Sequence, residues 1–166
     1  MELTCKPIRQ RYSCRLFDTT KEIPQVMMDG LIYAASLAPS GKNMQPWKFR
    51  IVNGSEFGRY LCELLPRNKW LKDCSRFICV FLDTAISNHP MKDYMSVGAA
   101  IENILIEAEG SGLSTCWVGE CTEYNRDICG FLGVDPVYRL LAIVVVGYAK
   151  RKMPPTAKKE PKDIIL

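Results

Sequence analysis

Residues 93–110 read Asp93-Tyr94-Met95-Ser96-Val97-Gly98-Ala99-Ala100-Ile101-Glu102-Asn103-Ile104-Leu105-Ile106-Glu107-Ala108-Glu109-Gly110. The stretch holds no proline, and small or apolar residues lie nearly all round its helical projection. A helix apolar on most sides belongs in the middle of a domain. Gly110 and Gly112 suit its end. Outward from it, Arg76 to Leu82 encloses Phe77-Ile78-Cys79-Val80-Phe81, which predicts a strand buried on both faces. Ser114–Val118 and Leu140–Val146 predict two more strands, with a helix over Tyr124–Leu132 between them. Upstream, Ile23-Pro24 to Leu37 predicts a helix, with Pro24 suited to its first turn. Ala38 to Asn43 reads as a loop, Trp47–Val52 as a strand closed by Asn53-Gly54, and residues 55–65 as a helix. No internal repeat or linker divides the chain. Residues 1–166 therefore read as one helix-rich α+β domain. Residues 153–166 form a basic, extended C-terminal arm with too few apolar residues to pack alone, ending in the apolar hook Ile164-Ile165-Leu166.

Length and composition agree with this. The 166 residues are 48% hydrophobic and 24% charged, close to the globular average, which argues against disordered, collagen-like or repeat proteins. No apolar run reaches the roughly 20 residues that span a bilayer. Met1 to Pro7 lacks the apolar core of an export signal, so a cytoplasmic protein is expected. The net charge of +4 equals that of the tail from Lys150 onward, so residues 1–149 are neutral. Lys6, Arg9, Arg11 and Arg15 make a second basic excess facing only Glu2. Basic ends on a neutral body could grip nucleic acid or an anionic membrane, converge on one small anion, or be a solvated tail.

The eight cysteines include no C-x-x-C pair, and the only histidine, His89, adjoins Pro90. Metal binding is not expected, and cysteines inside apolar runs, such as Cys79, read as packing thiols in a reducing compartment. There is no G-x-G-x-x-G, P-loop, G-x-S-x-G or H-E-x-x-H. Glu102 and Glu109, at helical spacing, read as an exposed charged stripe. No side chain is expected to act as nucleophile or acid–base pair, so a cofactor would carry any hard chemistry.

Two clusters are candidates for holding it. In Arg11-Tyr12-Ser13-Cys14-Arg15-Leu16-Phe17, an extended backbone points Arg11, Ser13 and Arg15 the same way. Two guanidinium forks with a hydroxyl between them suit a phosphate or the polar edge of a heterocycle, although an ordinary amphipathic segment explains them equally well. The second cluster, Ala38-Pro39-Ser40-Gly41-Lys42-Asn43-Met44-Gln45-Pro46-Trp47-Lys48-Phe49, presents Ser40, Asn43 and Gln45 in a proline-bounded loop before an aromatic strand. Turn chemistry beside a core tryptophan is its plainer reading.

Together these clusters resemble the FMN-dependent nitroreductase family, in its R-[RY]-S-x-R-x-F opening and its A-P-S-x-x-N-x-Q-P-W-x-F segment. Gly98 to Leu105 is similar to that family's G-x-A-x-Q-N-x-L helix. Gly112-Leu113-Ser114-Thr115-Cys116-Trp117-Val118-Gly119 resembles its G-L-G-x-x-W-x-G strand. Val146-Gly147-Tyr148 and Lys158-Lys159-Glu160-Pro161 resemble its closing elements. The resemblance implies a mixed, mainly antiparallel sheet between helices, in a homodimer that exchanges C-terminal arms and binds FMN at the interface. It implies that Arg11, Tyr12, Ser13 and Arg15 hold the phosphate and pyrimidine edge, while Ser40, Asn43 and Gln45 reach the flavin from the other subunit. Val118-Gly119 would lie beside the flavin N5, and Lys158 and Lys159 would neutralise the phosphate.

The activity implied is ping-pong transfer of electrons from NADH or NADPH through FMN to nitroaromatics, quinones or similar acceptors. Dehalogenation or dehydrogenation on the same fold is the alternative. A non-enzymatic domain whose arm binds nucleic acid or anionic membrane is a further one, disfavoured by the lack of aromatics among residues 150–163. Departures from the pattern are Glu102 where Gln is usual, Ser96 for Asp, Ala149 for Pro, and lysines for arginine in the arm. The connection between Asp83 and Asp93 is also short, where larger members carry a helical excursion over the substrate pocket.

Overall fold

The computed structural model describes residues 5–166; residues 1–4, with Glu2 and most of the segment read for an export signal, lie outside the described residues. Among the described residues there are five α-helices and four strands, and from the second helix onward helix and strand alternate. The helices are α1 (Lys6–Gln10), α2 (Gln25–Ser36), α3 (Ser55–Leu64), α4 (Pro90–Gly110) and α5 (Asn125–Leu132). The strands are β1 (Trp47–Asn53), β2 (Arg76–Asp83), β3 (Ser114–Val118) and β4 (Tyr138–Gly147). The sheet order is β1-β2-β4-β3, and every neighbouring pair of strands is antiparallel. The expected parallel component is reduced to one isolated bridge, between Ser13 and Thr115.

The side-chain period of two divides the sheet's residues between two cores. Ile78, Val80 and Leu82 of β2 and Ala142, Val144 and Val146 of β4 face α2 and α4. Phe77, Cys79 and Phe81, with Ile143 and Val145, face α3 and α5. Leu140 breaks the parity, because it packs with Ile143 and Val145 and not with Ala142. The pairing explains it: Val80 opposes Ala142 while Phe81 opposes Leu140, so Leu141 is an extra residue. A bulge of one residue turns the rest of the strand over.

α4 begins three residues before the predicted start. Pro90 occupies the first turn, where its fixed φ fits and its missing N–H costs nothing. Asp93 then reaches back to accept hydrogen bonds from the Ser87 hydroxyl (2.7 Å) and the His89 N–H (3.2 Å). The Ser87 bond is the main cause that holds its carboxyl below the usual aspartate range. Two segments without strong periodicity escaped the sequence reading: α1, and the 3-10 turns over Pro66–Asp73. The predicted Tyr124–Leu132 helix is α5 preceded by a 3-10 turn over Glu120–Tyr124.

Gly58 is where α3 presses on the 66–73 segment. A Cβ there would lie 2.2 Å from the Leu71 carbonyl oxygen and 3.0 Å from that of Cys74. Both are backbone atoms and have little freedom to yield. Gly58→Ala should therefore destabilise the fold by about 2–3 kcal/mol, the upper range for overpacking. For a chain of this size that lowers Tm by roughly 5–10 °C. Gly130→Ala, with nothing within 4 Å of its Cβ, is the control that should leave Tm unchanged or raised. Equal melting of both variants would refute the close-contact argument.

Candidate functional site

Past α1 the chain runs extended along the free edge of β3. The Cys14 N–H donates to the Thr115 carbonyl (2.8 Å), and Ser13 bridges Thr115 in parallel. The chain then crosses to the end of β4, where Phe17 bridges Ala149 and the Lys150 N–H donates to the Leu16 carbonyl (3.0 Å). Period-two alternation buries Tyr12 and Cys14 and leaves Ser13 and Arg15 exposed, with Arg11 half-buried. Gly147 is required here, because a Cβ on it would meet the Phe17 ring at 2.5 Å.

The exposed face of this segment forms one wall of a groove of about 520 Å³. Ser13, Arg15 and Leu16 line it on one side, and Arg151, just before the arm, with Met153 and Thr156 of the arm on the other. The buried Tyr12 ties the two together, its hydroxyl donating to the Arg151 carbonyl (3.1 Å). Arg11 is turned towards α4, where its Nε lies 3.5 Å from Glu102 Oε1. The tail residue with a guanidinium at the groove is Arg151, which the sequence reading counts among the tail's bases without assigning it to the site. Lys158 and Lys159 are exposed and lie beyond Thr156, the last arm residue in the groove lining.

The second cluster sits elsewhere. Residues 41–45 make a tight loop in which Lys42, Asn43 and Gln45 have φ of 53°, 56° and 50°. Three non-glycine residues in the left-handed region within four positions are unusual, and such strain concentrates at functional sites. Ser40 Oγ accepts the Gln45 N–H (2.9 Å), and Gln45 Nε2 donates to the Asn43 carbonyl (3.2 Å), so the loop holds itself. Beside it lies a mainly apolar groove of about 410 Å³, lined by Pro39, Ser40 and Gly41 and by Lys92, Met95 and Ala99 of α4. This loop feeds β1, at the opposite edge of the sheet from the Arg11–Arg15 segment. Three strand spacings separate those edges, about 14 Å. Within one chain the two clusters stand in separate grooves.

Val118 ends β3 and Gly119 follows it. Val118 is buried, while a Cβ on Gly119 would meet only Trp117 Nε1, at 3.9 Å, so its backbone is open to approach. All eight cysteines are free. Burial pushes the Cys74 and Cys121 thiols up to about 12, which keeps them protonated. They serve as packing groups and not as nucleophiles.

One reading of the sequence is overturned. Glu102 and Glu109 are not an exposed stripe. Glu109 is buried, its side chain only 4% exposed, and it pairs with Lys152, while Glu102 pairs with Arg11. A charge buried with a partner forty-three residues away leaves no local trace in the sequence.

The sequence model of the Nitroreductase family matches residues 8–72 and 62–148. Among curated relatives, an Archaeoglobus fulgidus protein named "Putative NADH dehydrogenase/NAD(P)H nitroreductase" is 30% identical over 153 residues, covering 90% of this chain and 87% of its own. Iodotyrosine deiodinase 1 of Pongo abelii is 27% identical, covering 96% of this chain and 66% of its own. Among solved structures, a Desulfovibrio desulfuricans protein in complex with FMN superposes with a TM-score of 0.89 at 24% identity, covering 97% of this chain and 94% of that one. No helix among the described residues is long and apolar enough to cross a membrane. An antiparallel sheet between two helical layers, an arginine–serine–arginine edge and a strained proline-bounded loop thus occur together with a family match across most of the sequence: the chain belongs to the nitroreductase family and is an oxidoreductase.

Proposed function

We propose that this protein works as a homodimeric, FMN-dependent oxidoreductase, taking electrons from NADH or NADPH and passing them to nitroaromatics, quinones or similar acceptors in two separate half-reactions. The observation that carries this reading is the division of the site. The guanidinium–hydroxyl edge and the Ser40–Gln45 loop stand on opposite edges of one sheet. Only a second copy, offering its loop to the first copy's groove, brings both sets to one ligand. The chain from 1 to 166 then acts as one unit, with 153–166 reaching over its partner.

The residues present fit a flavin mononucleotide. A groove of about 520 Å³ falls in the range of small-molecule sites. Its exposed side-chain donors are the Arg15 and Arg151 guanidinium groups and the Ser13 and Thr156 hydroxyls, a set that suits a phosphate dianion. Bound there, FMN supplies the two-electron chemistry that no side chain of this protein offers. Arg15, Ser13 and Arg151 bind the phosphate and the polar edge, and Arg11 adds charge that Glu102 partly cancels. Tyr12 acts from below, by fastening the groove's two walls. Ser40, Asn43 and Gln45 of the second copy limit access of water, and the open backbone at Gly119 leaves room for a ring to approach. Lys158 and Lys159 contribute screening charge from the arm.

Residues 84–92 provide little chain for a lid over such a site, and β2 passes into α4 through a short turn. Specificity comes from polar groups committed to one ligand, and a site at a seam between subunits has few. The purified protein should therefore be yellow, or become so with FMN. It should give parallel-line steady-state kinetics and reduce several nitroaromatics and quinones at comparable kcat/KM. A colourless protein that rejects FMN would sink the reading. One acceptor outrunning the rest by about a thousandfold, roughly 4 kcal/mol of discrimination, would overturn the broad selectivity. Should that acceptor be an iodotyrosine, dehalogenation takes its place.

A further inference from the structure

We propose that Glu109 is a positioning residue which, through Lys152, holds the arm wall of the Arg15 groove in place; the part concerning FMN rests on the reading above. The placement of this carboxylate is otherwise hard to understand. It lies in the last turn of α4, at the negative end of the helix dipole, which disfavours a further negative charge. It is also buried, where a carboxylate persists only if paired. Its partner is Lys152, whose side chain remains half-exposed. An apolar residue would pack this position at lower cost, so the pair is better explained by what it fixes than by stability.

What it fixes is the root of the arm. Lys152 follows Arg151, whose carbonyl accepts the Tyr12 hydroxyl, and precedes Met153, Pro154 and Thr156, which line the groove with Arg151. Two contacts thus seat consecutive residues: one from the Arg11–Arg15 segment, the other from α4. Glu102 lies seven residues before Glu109, on the same helical face, and takes Arg11. One face of α4 therefore holds a base from each of the protein's two basic ends, about 10 Å apart along its axis. Beyond Thr156 the arm is exposed along its whole length in the single chain. The seated root is what sets its direction.

The test uses the full-length protein with Glu109→Gln, Lys152→Gln and Lys152→Arg, and with Glu107→Gln, an exposed neighbour, as control. Two readouts are followed: the rate of tryptic cleavage at Lys158 and Lys159, and the dissociation constant of FMN from fluorescence quenching. Glu109→Gln and Lys152→Gln should each speed arm cleavage at least fivefold and weaken FMN about tenfold. Lys152→Arg, which keeps the charge, and Glu107→Gln should match the parent in both. If Lys152→Gln, which leaves the buried carboxylate without its cation, does not fold, Glu109→Gln decides, since it removes the buried charge itself. Arm cleavage unchanged in the Gln variants, or a parent arm cut as fast as theirs, overturns the proposal. If the variants free the arm and the parent binds no FMN, the positioning role stands and the flavin reading falls. The opposite pattern, tight FMN in parent and variants alike with no change in cleavage, leaves the flavin reading and removes this one.

Discussion

Ending the chain after Lys152 is expected to abolish both flavin retention and dimer formation. The truncation removes Met153 and Thr156 from the groove wall and the three apolar residues that close the sequence. Ile164, Ile165 and Leu166 are all largely exposed in the single chain, with nothing of their own subunit covering them. Burying side chains of this size stabilises by roughly 1.5–3 kcal/mol each, and a two-fold dimer buries the set twice. That is enough to decide whether a subunit pair holds at micromolar concentration. Sedimentation velocity and flavin absorbance on the truncated protein check it. The core is untouched, because its buried residues end at Val146, so a folded, colourless monomer is the expected product. A truncated protein that stays a yellow dimer would mean that the arm is only a solvated tail.

The second large effect is expected at Arg15. Its guanidinium is exposed at the groove, and its one hydrogen bond there is a long contact to the Ser13 carbonyl, 3.5 Å. It is therefore available to an incoming anion. A hydrogen bond to a charged group contributes roughly 1.5–3 kcal/mol, so Arg15→Ala should weaken FMN by about 10- to 150-fold. Arg11→Ala should cost less, because Glu102 already holds that side chain. Riboflavin, which lacks the phosphate, separates the charge effect from the rest: its binding should be nearly equal in parent and Arg15→Ala. Equal FMN affinity in the two arginine variants and the parent would remove this edge from the phosphate site.

Arg15 also marks how far the sequence could be read. The alternation of Arg11, Ser13 and Arg15 against Tyr12 and Cys14 is a local property of extended backbone, and it is present in the fold. So are α2, α4 and the strand over Arg76–Asp83, where strong periodicity or a continuous apolar run leaves few alternatives. The order of the family's motifs was likewise written in the chain, since it needs no contacts to be read. Other features depend on which distant segments meet. The strand order β1-β2-β4-β3 sets the two clusters on opposite edges, and no local pattern encodes that order. The extra residue at Leu141 turns Leu140 to the other core, an effect visible only once β4 is paired with β2. Tyr12 meets Arg151 across 139 positions, and Glu109 meets Lys152 across 43. By itself, the sequence determined most of the elements and the chemistry of the exposed edge, because each rests on neighbours a few residues apart. Which carboxylate is buried, which base reaches the groove and which edge carries each half of the site were decided only by tertiary structure, because strand pairing and helix packing join residues whose separation carries no periodic signal.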